Sequence, residues 1–266
     1  MIKLEHVVLA SPEQMEFIIE GMRNPMNSWN KSDSSCGTTT RDTNVQWSDD
    51  YFIGSNDSSL MQRLANAGTD HRKFMRMMPV YVRITAPLYW WKEFDTYRTG
   101  VTPNPMDIEM NSCSTMHKIQ EKEFTLSDFS TDQLLSPYGN HNDERDIPFV
   151  MTSDENQYSP YGIVECIIIP MLNKCRDEYN RLTKRLKDDK TLTESESKHL
   201  KAKQKVMWWQ MIQLLPSSYN QTRNVMLNYE TLANIYKSRK NHKLDEWREF
   251  CKWIEELPCS ELICGD

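Results

Sequence analysis

The sequence predicts an α+β fold, in which a sheet with helices packed on one side is accompanied by a long helical hairpin. Residues 80–86 alternate apolar and polar side chains with the period of two that is typical of a half-buried strand. Two longer stretches, 162–186 and 195–214, have helical periodicity and are separated by a short polar turn, which indicates the hairpin. No internal repeat is visible, and a single domain over residues 1–266 is expected.

The N-terminal part begins with a strand over residues 4–9. Ser11 is expected to cap a helix that Pro12 opens, because serine is a good N-cap and proline is tolerated in the first helical turn. Residues 24–54 are rich in Ser, Thr, Asn and Asp and are predicted to be mostly loop. A short helix is predicted over 58–67.

After the strand at 80–86, Pro87 is expected to start a helix in which Leu88, Trp91 and Phe94 recur every three residues. Two polar stretches interrupt the patterned sequence, and they are interpreted as surface insertions near 100–110 and 125–160. The first of these contains two prolines and is predicted to be a loop.

The C-terminal part is mainly helical. Pro170 lies inside the first arm of the hairpin and requires a kink or a break there, because proline lacks the backbone N–H of a helical turn. Between 215 and 242, polar residues recur at fixed spacing along a predicted helix, with Asn228 as an N-cap for residues 229–240. A last helix over 244–257 carries one apolar stripe.

Composition excludes several classes of protein. With 38% hydrophobic and 26% charged residues, the chain of 266 residues has the composition of a globular protein. No run of about 18 apolar residues occurs, so no membrane span is expected. The short apolar start suggests a strand rather than a signal peptide. Seven scattered cysteines without a CxxC pair indicate free thiols in a reducing cytoplasm rather than a zinc site or disulfides.

The charge is unevenly distributed. The formal net charge of −6 argues against nonspecific nucleic-acid binding by the whole surface. Residues 174–205 nevertheless hold eleven Lys and Arg against six Asp and Glu. Solvated helix faces are the favoured interpretation of this basic hairpin, with a nucleic-acid contact as the alternative.

Few motifs of known chemistry are present. The sequence has no phosphate loop, no Gly-x-Gly-x-x-Gly and no HExxH, so a nucleotide or flavin has to be held without a Rossmann turn and no metal is expected. Cys113 and His117 have the spacing of a thiol–imidazole pair, although such pairs are usually incidental. Arg239 follows an apolar helix, where a cation ordinarily interacts with the carbonyls of the helix C-terminus.

Two segments, in the same order, resemble the flavin-dependent thymidylate synthases. The first begins at Ala86-Pro87 and is similar to that family's Ala-Pro, Gln and Arg-His-Arg segment. Its matched positions are Glu93 for Gln, followed by Thr96, Tyr97 and Arg98. The second has the order and spacing of the family's C-terminal substrate and flavin segment, with Leu215-Pro216 followed by Asn228, Asn234, Arg239 and His242.

The resemblance implies an enzyme that uses reduced FAD, with NADPH as reductant, to methylate dUMP to dTMP with methylenetetrahydrofolate. Such enzymes need no cysteine nucleophile, because fixed charges polarise the pyrimidine. Arg239 is the implied catalytic residue. The implied substrate-binding residues are Glu93, Arg98, Ser112, Ser114 and Arg239. The implied cofactor-binding residues are His71, Thr96, Tyr97, Arg98, Asn111, Asn228, Asn234 and His242.

The sequence departs from the family pattern at several charged positions. Thr96 and Tyr97 stand where the family has Arg and His, Met116 stands at a further arginine, and Ile212 stands at the phosphate-binding arginine before Leu-Pro. Arg72, Arg76 and Arg223 are the candidates to replace these arginines as ligands of a dianionic phosphate.

These departures leave two alternatives open. The chain is then either a relative with the same fold and flavin that acts on another pyrimidine nucleotide, or a non-catalytic interaction protein whose basic hairpin meets a partner. The family shares its active sites between subunits, and Trp90, Trp91 and the loop at 101–110 suggest apolar surface that a monomer leaves exposed. The expectation is therefore a cytoplasmic homotetramer.

Overall fold

The computed structural model describes residues 2–37, 45–97, 108–135, 151–153 and 156–265. They form two compact units. The first unit contains residues 87–89 and 113–221, and the second contains residues 2–86, 90–112 and the chain from 222 onward. The mixture of helices and open sheets confirms the predicted α+β class.

The helices are α1 (Pro12–Arg23), α2 (Ser55–Asn66), α3 (Lys73–Arg76), α4 (Leu88–Phe94), α5 (Pro160–Ile163), α6 (Ile169–Asp188), α7 (Glu194–Leu214), α8 (Tyr229–Arg239), α9 (Asp245–Glu255) and α10 (Glu261–Cys264). The strands are β1 (Lys3–Leu9), β2 (Ser35–Cys36), β3 (Val45–Ser48), β4 (Tyr51–Ile53), β5 (Pro79–Pro87), β6 (Glu109–Ser112), β7 (Met151–Ser153), β8 (Asn156–Tyr158) and β9 (Asn220–Asn228).

The main sheet has the strand order β1-β5-β9-β6. Strand β5 confirms the prediction for residues 80–86 and alternates as expected. Its buried side chains are Val80, Val82, Ile84 and Ala86, whereas Tyr81 and Arg83 are exposed. Because side chains point to opposite faces of a strand in turn, one face of this sheet is buried and the other is open.

The first helix confirms its predicted start. Ser11 Oγ accepts a hydrogen bond from the Gln14 backbone N–H at 3.3 Å, and the Gln14 side chain accepts one from the Ser11 N–H at 2.9 Å. These reciprocal bonds are a capping box, which satisfies two of the N–H groups that a helix start leaves unpaired. Helix α2 begins earlier than predicted, at Ser55, because the distant Asp33 carboxylate accepts from the N–H groups of Asn56 and Asp57.

The prediction of mostly loop over residues 24–54 missed three short strands. Strands β2, β3 and β4 form a three-stranded sheet in the order β2-β4-β3. Trp47 explains its stability, because the indole is 2% exposed and its Nε1 donates to the Ala10 carbonyl at 2.9 Å. Polar composition hid this sheet, since only a few of its side chains enter the core.

The prediction of a helix over the whole of 215–242 is also wrong, because strand β9 occupies Asn220–Asn228. Val225 and Leu227 are buried while Asn224 is exposed, so the strand alternates near its end. It lies between β5 and β6, and a strand with partners on both sides is stabilised by tertiary pairing rather than by local propensity. Pairing with β9 also stabilises strand β6. Two residues of β6, Glu109 and Met110, were predicted to belong to the loop at 100–110.

The helical hairpin of α6 and α7 is confirmed in the first unit. A π-helical segment, Val164–Ile168, precedes Pro170, and it supplies the break in regular α-helix that the missing proline N–H requires. The core of this unit is a cluster of buried apolar side chains: Ile119, Phe124, Phe129, Val164, Ile169, Leu172 and Met211.

Among the described residues, no helix is long and apolar enough to cross a membrane. Nor does this part of the chain contain a group of His, Cys, Asp and Glu side chains arranged to hold a metal ion.

Candidate functional site

Three of the predicted site residues, Glu93, Arg239 and His242, meet in the second unit around one carboxylate oxygen. Glu93 lies near the end of α4, and its Oε2 is 3.2 Å from Nη1 of Arg239 and 3.5 Å from Nε2 of His242. The same oxygen accepts a hydrogen bond from Nε1 of Trp247 at 2.9 Å. The Glu93 side chain is 37% exposed, so a ligand has access to the cluster.

Arg239 is held on several sides. It is the last residue of α8, and its Nε donates to the Tyr97 hydroxyl at 2.8 Å. Its guanidinium carbon lies 4.9 Å from the centre of the Trp247 ring and 5.5 Å from that of Tyr97, which is cation–π geometry. Two rings and a carboxylate therefore fix the plane of the guanidinium, whose side chain keeps 20% of its surface exposed.

A buried aromatic cluster packs against Trp247, one of the rings that contact Arg239. Trp90 lies 4.9 Å from Phe94, 4.8 Å from Trp247 and 5.7 Å from Phe250, measured between ring centres, and all four side chains are fully buried. Aromatic pairs of this kind add about 0.5–1.5 kcal/mol each beyond the burial of their surface. Because Trp247 is packed within this cluster, the ring that contacts the Arg239 guanidinium is held in a fixed position.

His242 follows α8 in a tight turn, in which its backbone N–H donates to the Arg239 carbonyl at 2.9 Å. Its Nδ1 accepts a hydrogen bond from the Leu244 N–H at 3.2 Å. An acceptor at Nδ1 places the proton of the neutral imidazole on Nε2, which faces Glu93.

The two asparagines of this segment have different surroundings. Asn228 is buried and caps α8, with its Oδ1 accepting from the Thr231 N–H at 2.9 Å, which confirms the predicted N-cap. Its side-chain NH2 is the part of the amide left for other partners. Asn234 lies half-buried in the middle of α8.

The residues at the Arg-His-Arg positions are partly described. Thr96 and Tyr97 lie in a 3₁₀ turn, Asp95–Tyr97, that follows α4. The Thr96 hydroxyl donates to the Glu93 carbonyl at 2.6 Å, so it helps to shape the turn, while Tyr97 contacts Arg239. Arg98 lies outside the described residues.

Three of the remaining predicted residues, His71, Asn111 and Ser112, belong to the second unit and are not in contact with the Glu93 cluster among its described residues. Asn111 and Ser112 are exposed neighbours in β6 and therefore point to opposite faces of the sheet. Ser114 belongs to the first unit, where its Oγ accepts from the N–H groups of Met116 and His117. His71 is exposed in the turn before α3.

The arginines considered as phosphate ligands all have protein partners. Arg223 lies on β9, donates to Asp95 at 2.7 Å and stacks 4.2 Å from the Trp91 ring centre. Arg72 donates to the Ala65 carbonyl at 2.6 Å, and Arg76 pairs with Glu230. Arg223 is only 12% exposed.

Comparison with solved structures finds two crystal structures of the flavin-dependent thymidylate synthase ThyX from Helicobacter pylori with FAD and dUMP. The first match covers 100% of this chain and 97% of the other, with a TM-score of 0.51 and 16% sequence identity. The second covers 100% and 96%, with a TM-score of 0.50 and 14% identity. The chain has the fold of the flavin-dependent thymidylate synthases. No protein-family model matches the sequence, and no curated protein matches it.

On this thymidylate synthase fold, the cluster around Arg239 contains one residue that sequence reasoning missed. Trp247 lies in the last predicted helix, over residues 244–257, and belongs to its apolar stripe, which agrees with its full burial. Its indole N–H nevertheless reaches Glu93, 154 residues away in sequence. Helical periodicity indicates which face of α9 is buried, but it carries no signal for the polar atom of an otherwise apolar side chain.

Proposed function

We propose that this chain is a flavin-dependent thymidylate synthase, which uses FAD, NADPH and methylenetetrahydrofolate to convert dUMP to dTMP. The observation that carries the proposal is the fixed guanidinium of Arg239 beside Glu93, Tyr97 and His242 on this fold. The solved structures with the same fold bind FAD and dUMP. We further propose that the enzyme is cytoplasmic and that its 266 residues act as a single domain.

Arg239 is the proposed catalytic residue. A planar guanidinium can donate two parallel hydrogen bonds to a pyrimidine edge, and it stays charged at any physiological pH. Tyr97 and Glu93 occupy its Nε and Nη1, so Nη2 is the atom best placed to reach a ligand. Charge that is fixed before the reaction stabilises an ionising base more effectively than charge that must reorient.

The side chains of this segment fit a flavin in their chemistry. Asn228, Asn234 and His242 supply neutral amide and imidazole groups, which suit the carbonyl and N–H edge of an uncharged ring system. Asn228 holds its oxygen in the helix cap and has only its NH2 to offer, so we assign it one donor contact. Bound FAD would supply the hydride equivalents for the reduction. The chain's own residues bind the flavin, orient the pyrimidine and hold the charge of Arg239.

A second pyrimidine nucleotide is favoured by one observation at the same site. Glu93 carries a carboxylate where the family has a neutral Gln, and a carboxylate accepts hydrogen bonds but donates none. It also cancels much of the charge of Arg239, 3.2 Å away. A base with an amino group at this position is thus the alternative substrate, and it is compared with dUMP in the assay below.

The homotetramer remains part of the proposal, but one argument for it is wrong. Trp90 and Trp91 are 0% and 1% exposed and leave no apolar surface for a partner. Other apolar side chains on the hairpin are exposed, namely Ile167, Met171, Val206, Trp209 and Leu214. These now support assembly.

The test combines binding and turnover. Purified protein is examined for the visible spectrum of bound flavin, and tritium release from C5-labelled dUMP is measured with NADPH and methylenetetrahydrofolate. We expect Arg239→Ala to retain FAD and to lose about two orders of magnitude in turnover, as is typical of removing one preorganised charge partner. Lys237→Ala, on the exposed side of the same helix, is the matched control.

Two results would overturn the proposal. A colourless protein that also fails to bind added FAD in calorimetry would exclude the enzymatic function. Equal turnover by the wild type and Arg239→Ala would exclude the assigned role of Arg239. An inactive wild type that binds FAD, and that releases tritium from labelled dCMP instead, would establish the alternative substrate.

A further inference from the structure

The open face of the main sheet carries a cavity of about 490 Å³. It lies within the second unit, and none of its lining residues belongs to the Glu93 cluster. Its volume is within the range of roughly 300–1,000 Å³ that is usual for sites of small molecules. The side chains that define it come from all four strands: Val8, Tyr81, Arg83, Asn111, Asn224 and Met226.

Strand register arranges these side chains in two rows. Val8 lies opposite Tyr81, and Asn111 lies opposite Asn224. Arg83 Nε donates to Asn224 Oδ1 at 3.4 Å, which aligns β5 with β9. Since neighbouring strands are about 4.8 Å apart, each row extends across the sheet as a nearly continuous surface.

The first row begins with Glu109, which lies opposite Met226, and continues with the apolar side chains of Met226, Tyr81 and Val8. Tyr81 is 46% exposed and Val8 is also 46% exposed, although both are large apolar side chains. An aromatic ring beside a methionine and a valine forms an apolar surface on which a planar ring can stack, because stacking and dispersion require no fixed hydrogen-bond pattern.

The second row is polar and consists of Asn111, Asn224 and Arg83. The side-chain amide of Asn111 has a donor and an acceptor side by side, which matches the N6 and N7 edge of adenine in a bidentate contact. Asn224, whose Oδ1 accepts from Arg83, offers its NH2 as a donor. Arg83 adds a cation suited to phosphate. Glu109 lies opposite Met226 on β6, so its negative charge keeps a phosphate away from that end of the first row. Glu5 lies opposite Arg83 on β1 and offsets part of the charge of the guanidinium.

We propose that this cavity binds an adenine nucleotide, with the ring over Tyr81 and Met226, the adenine edge on the asparagine pair and the phosphate toward Arg83. The ligand is either a free adenosine phosphate or the adenine end of a dinucleotide. This inference goes beyond the proposed function, because it requires neither turnover nor the Arg239 cluster.

Calorimetric titration of the full chain with AMP tests the proposal. We expect binding in the micromolar to low millimolar range and at least tenfold weaker binding of UMP, which lacks the adenine edge. Asn224→Asp keeps the shape but loses the amide donor, and Tyr81→Ala removes the stacking ring, so each should weaken AMP at least tenfold. Tyr81→Phe keeps the ring and should bind AMP as the wild type does.

Arg239→Ala is the control, and it should leave AMP binding unchanged. Circular dichroism of each variant verifies the fold. Separate titrations with FAD and NADPH distinguish the sources: a dinucleotide that binds at least tenfold more tightly than AMP, and is weakened by Asn224→Asp, identifies the adenine end of a cofactor. No AMP binding at 5 mM (about −3 kcal/mol), equal affinity for UMP, or indifference to both Asn224→Asp and Tyr81→Ala overturns the proposal.

Discussion

The indole N–H of Trp247 donates to Oε2 of Glu93 at 2.9 Å, and this bond joins the aromatic core to the candidate site. The same indole ring lies 4.9 Å from the guanidinium of Arg239. One fully buried side chain thus positions both the anion and the cation of the cluster. Orientation of the charged pair depends on the packing of α9 as well as on the two charged residues themselves.

Trp247→Phe separates the hydrogen bond from the ring. Phenylalanine keeps an aromatic face for Arg239 but removes the N–H to Glu93, and a hydrogen bond to a charged group contributes about 1.5–3 kcal/mol. We expect turnover of dUMP to fall by about one order of magnitude while FAD content stays the same. Trp253→Phe makes the same chemical change on the same helix, where the ring packs on Phe250, and should leave turnover unaffected. Equal losses in both variants would assign the effect to packing.

Glu93→Gln tests the charge that distinguishes this site. The carboxylate is 3.2 Å from Arg239 and partly exposed, so it opposes the binding of an anionic nucleotide. We expect the variant to bind dUMP several-fold more tightly, with a smaller change for uncharged deoxyuridine, as measured by calorimetry. Glu249→Gln, exposed on α9, is the control. Weaker binding of both ligands to Glu93→Gln would show that the carboxylate contacts the base directly.

A buried ion pair is expected to make stability depend on pH. Asp57 is fully buried and accepts from Arg23 Nε at 2.6 Å, Ser32 Oγ at 2.8 Å and Ser34 Oγ at 2.7 Å. Burial alone would raise the pKa of this carboxyl, but the hydrogen bonds from Ser34, Ser32 and Arg23 outweigh it and lower the pKa below its ordinary value. The resulting stabilisation is present above the unfolded-state pKa of about 3.9 and is lost as the pH falls through the folded-state value.

Asp57→Asn should therefore lower the free energy of unfolding by about 3–5 kcal/mol at pH 7, since it leaves Arg23 buried without its anion. The difference from the wild type should shrink between pH 4 and pH 2, as measured by urea denaturation. Asp177→Asn, which removes a largely exposed carboxylate, is the control. A deficit that is constant across this pH range would contradict the assignment of the stabilisation to the ionised carboxylate.

Assembly is predicted from the exposed apolar side chains of the hairpin. Light scattering at micromolar concentration should give a mass near four times 31.5 kDa. Trp209, which is 43% exposed, is the side chain whose replacement by arginine should lower that mass, because a buried interface does not tolerate an unpaired charge. A wild-type mass of 31.5 kDa would refute the tetramer.

Local patterns predicted those elements whose stability is set locally. The capping box at Ser11, the alternation within β5 and the two arms of the hairpin each depend on residues close in sequence. Asn228 was likewise predicted as an N-cap, because the residues that need capping follow it directly. In the site, Arg239 and Glu93 were found through their spacing to neighbouring motif residues, and the fold brings them within 3.2 Å.

The features that could not be predicted from the sequence depend on contacts between residues that are far apart in the chain. Strand β9 forms between two strands that are distant in sequence, and the start of α2 depends on Asp33, which lies 23 and 24 residues before the two N–H groups that it accepts from. Trp247 reaches Glu93 across 154 residues. Local sequence patterns depend on neighbouring residues, so they indicate the apolar faces of each segment but not the single polar contacts between segments.

The π-helical segment before Pro170 also affects how the sequence around the start of α6 is aligned with the sequences of related proteins. Hydrogen bonding over five residues rather than four adds one residue without adding a turn. Val164 and Ile169, five positions apart, accordingly share the same buried cluster, which a regular helix would not bring to one face. When this chain is superposed on a relative with an unbroken helix, a one-residue gap belongs within 164–168. An ungapped alignment would shift the whole N-terminal end of the hairpin by about 100° around the helix axis.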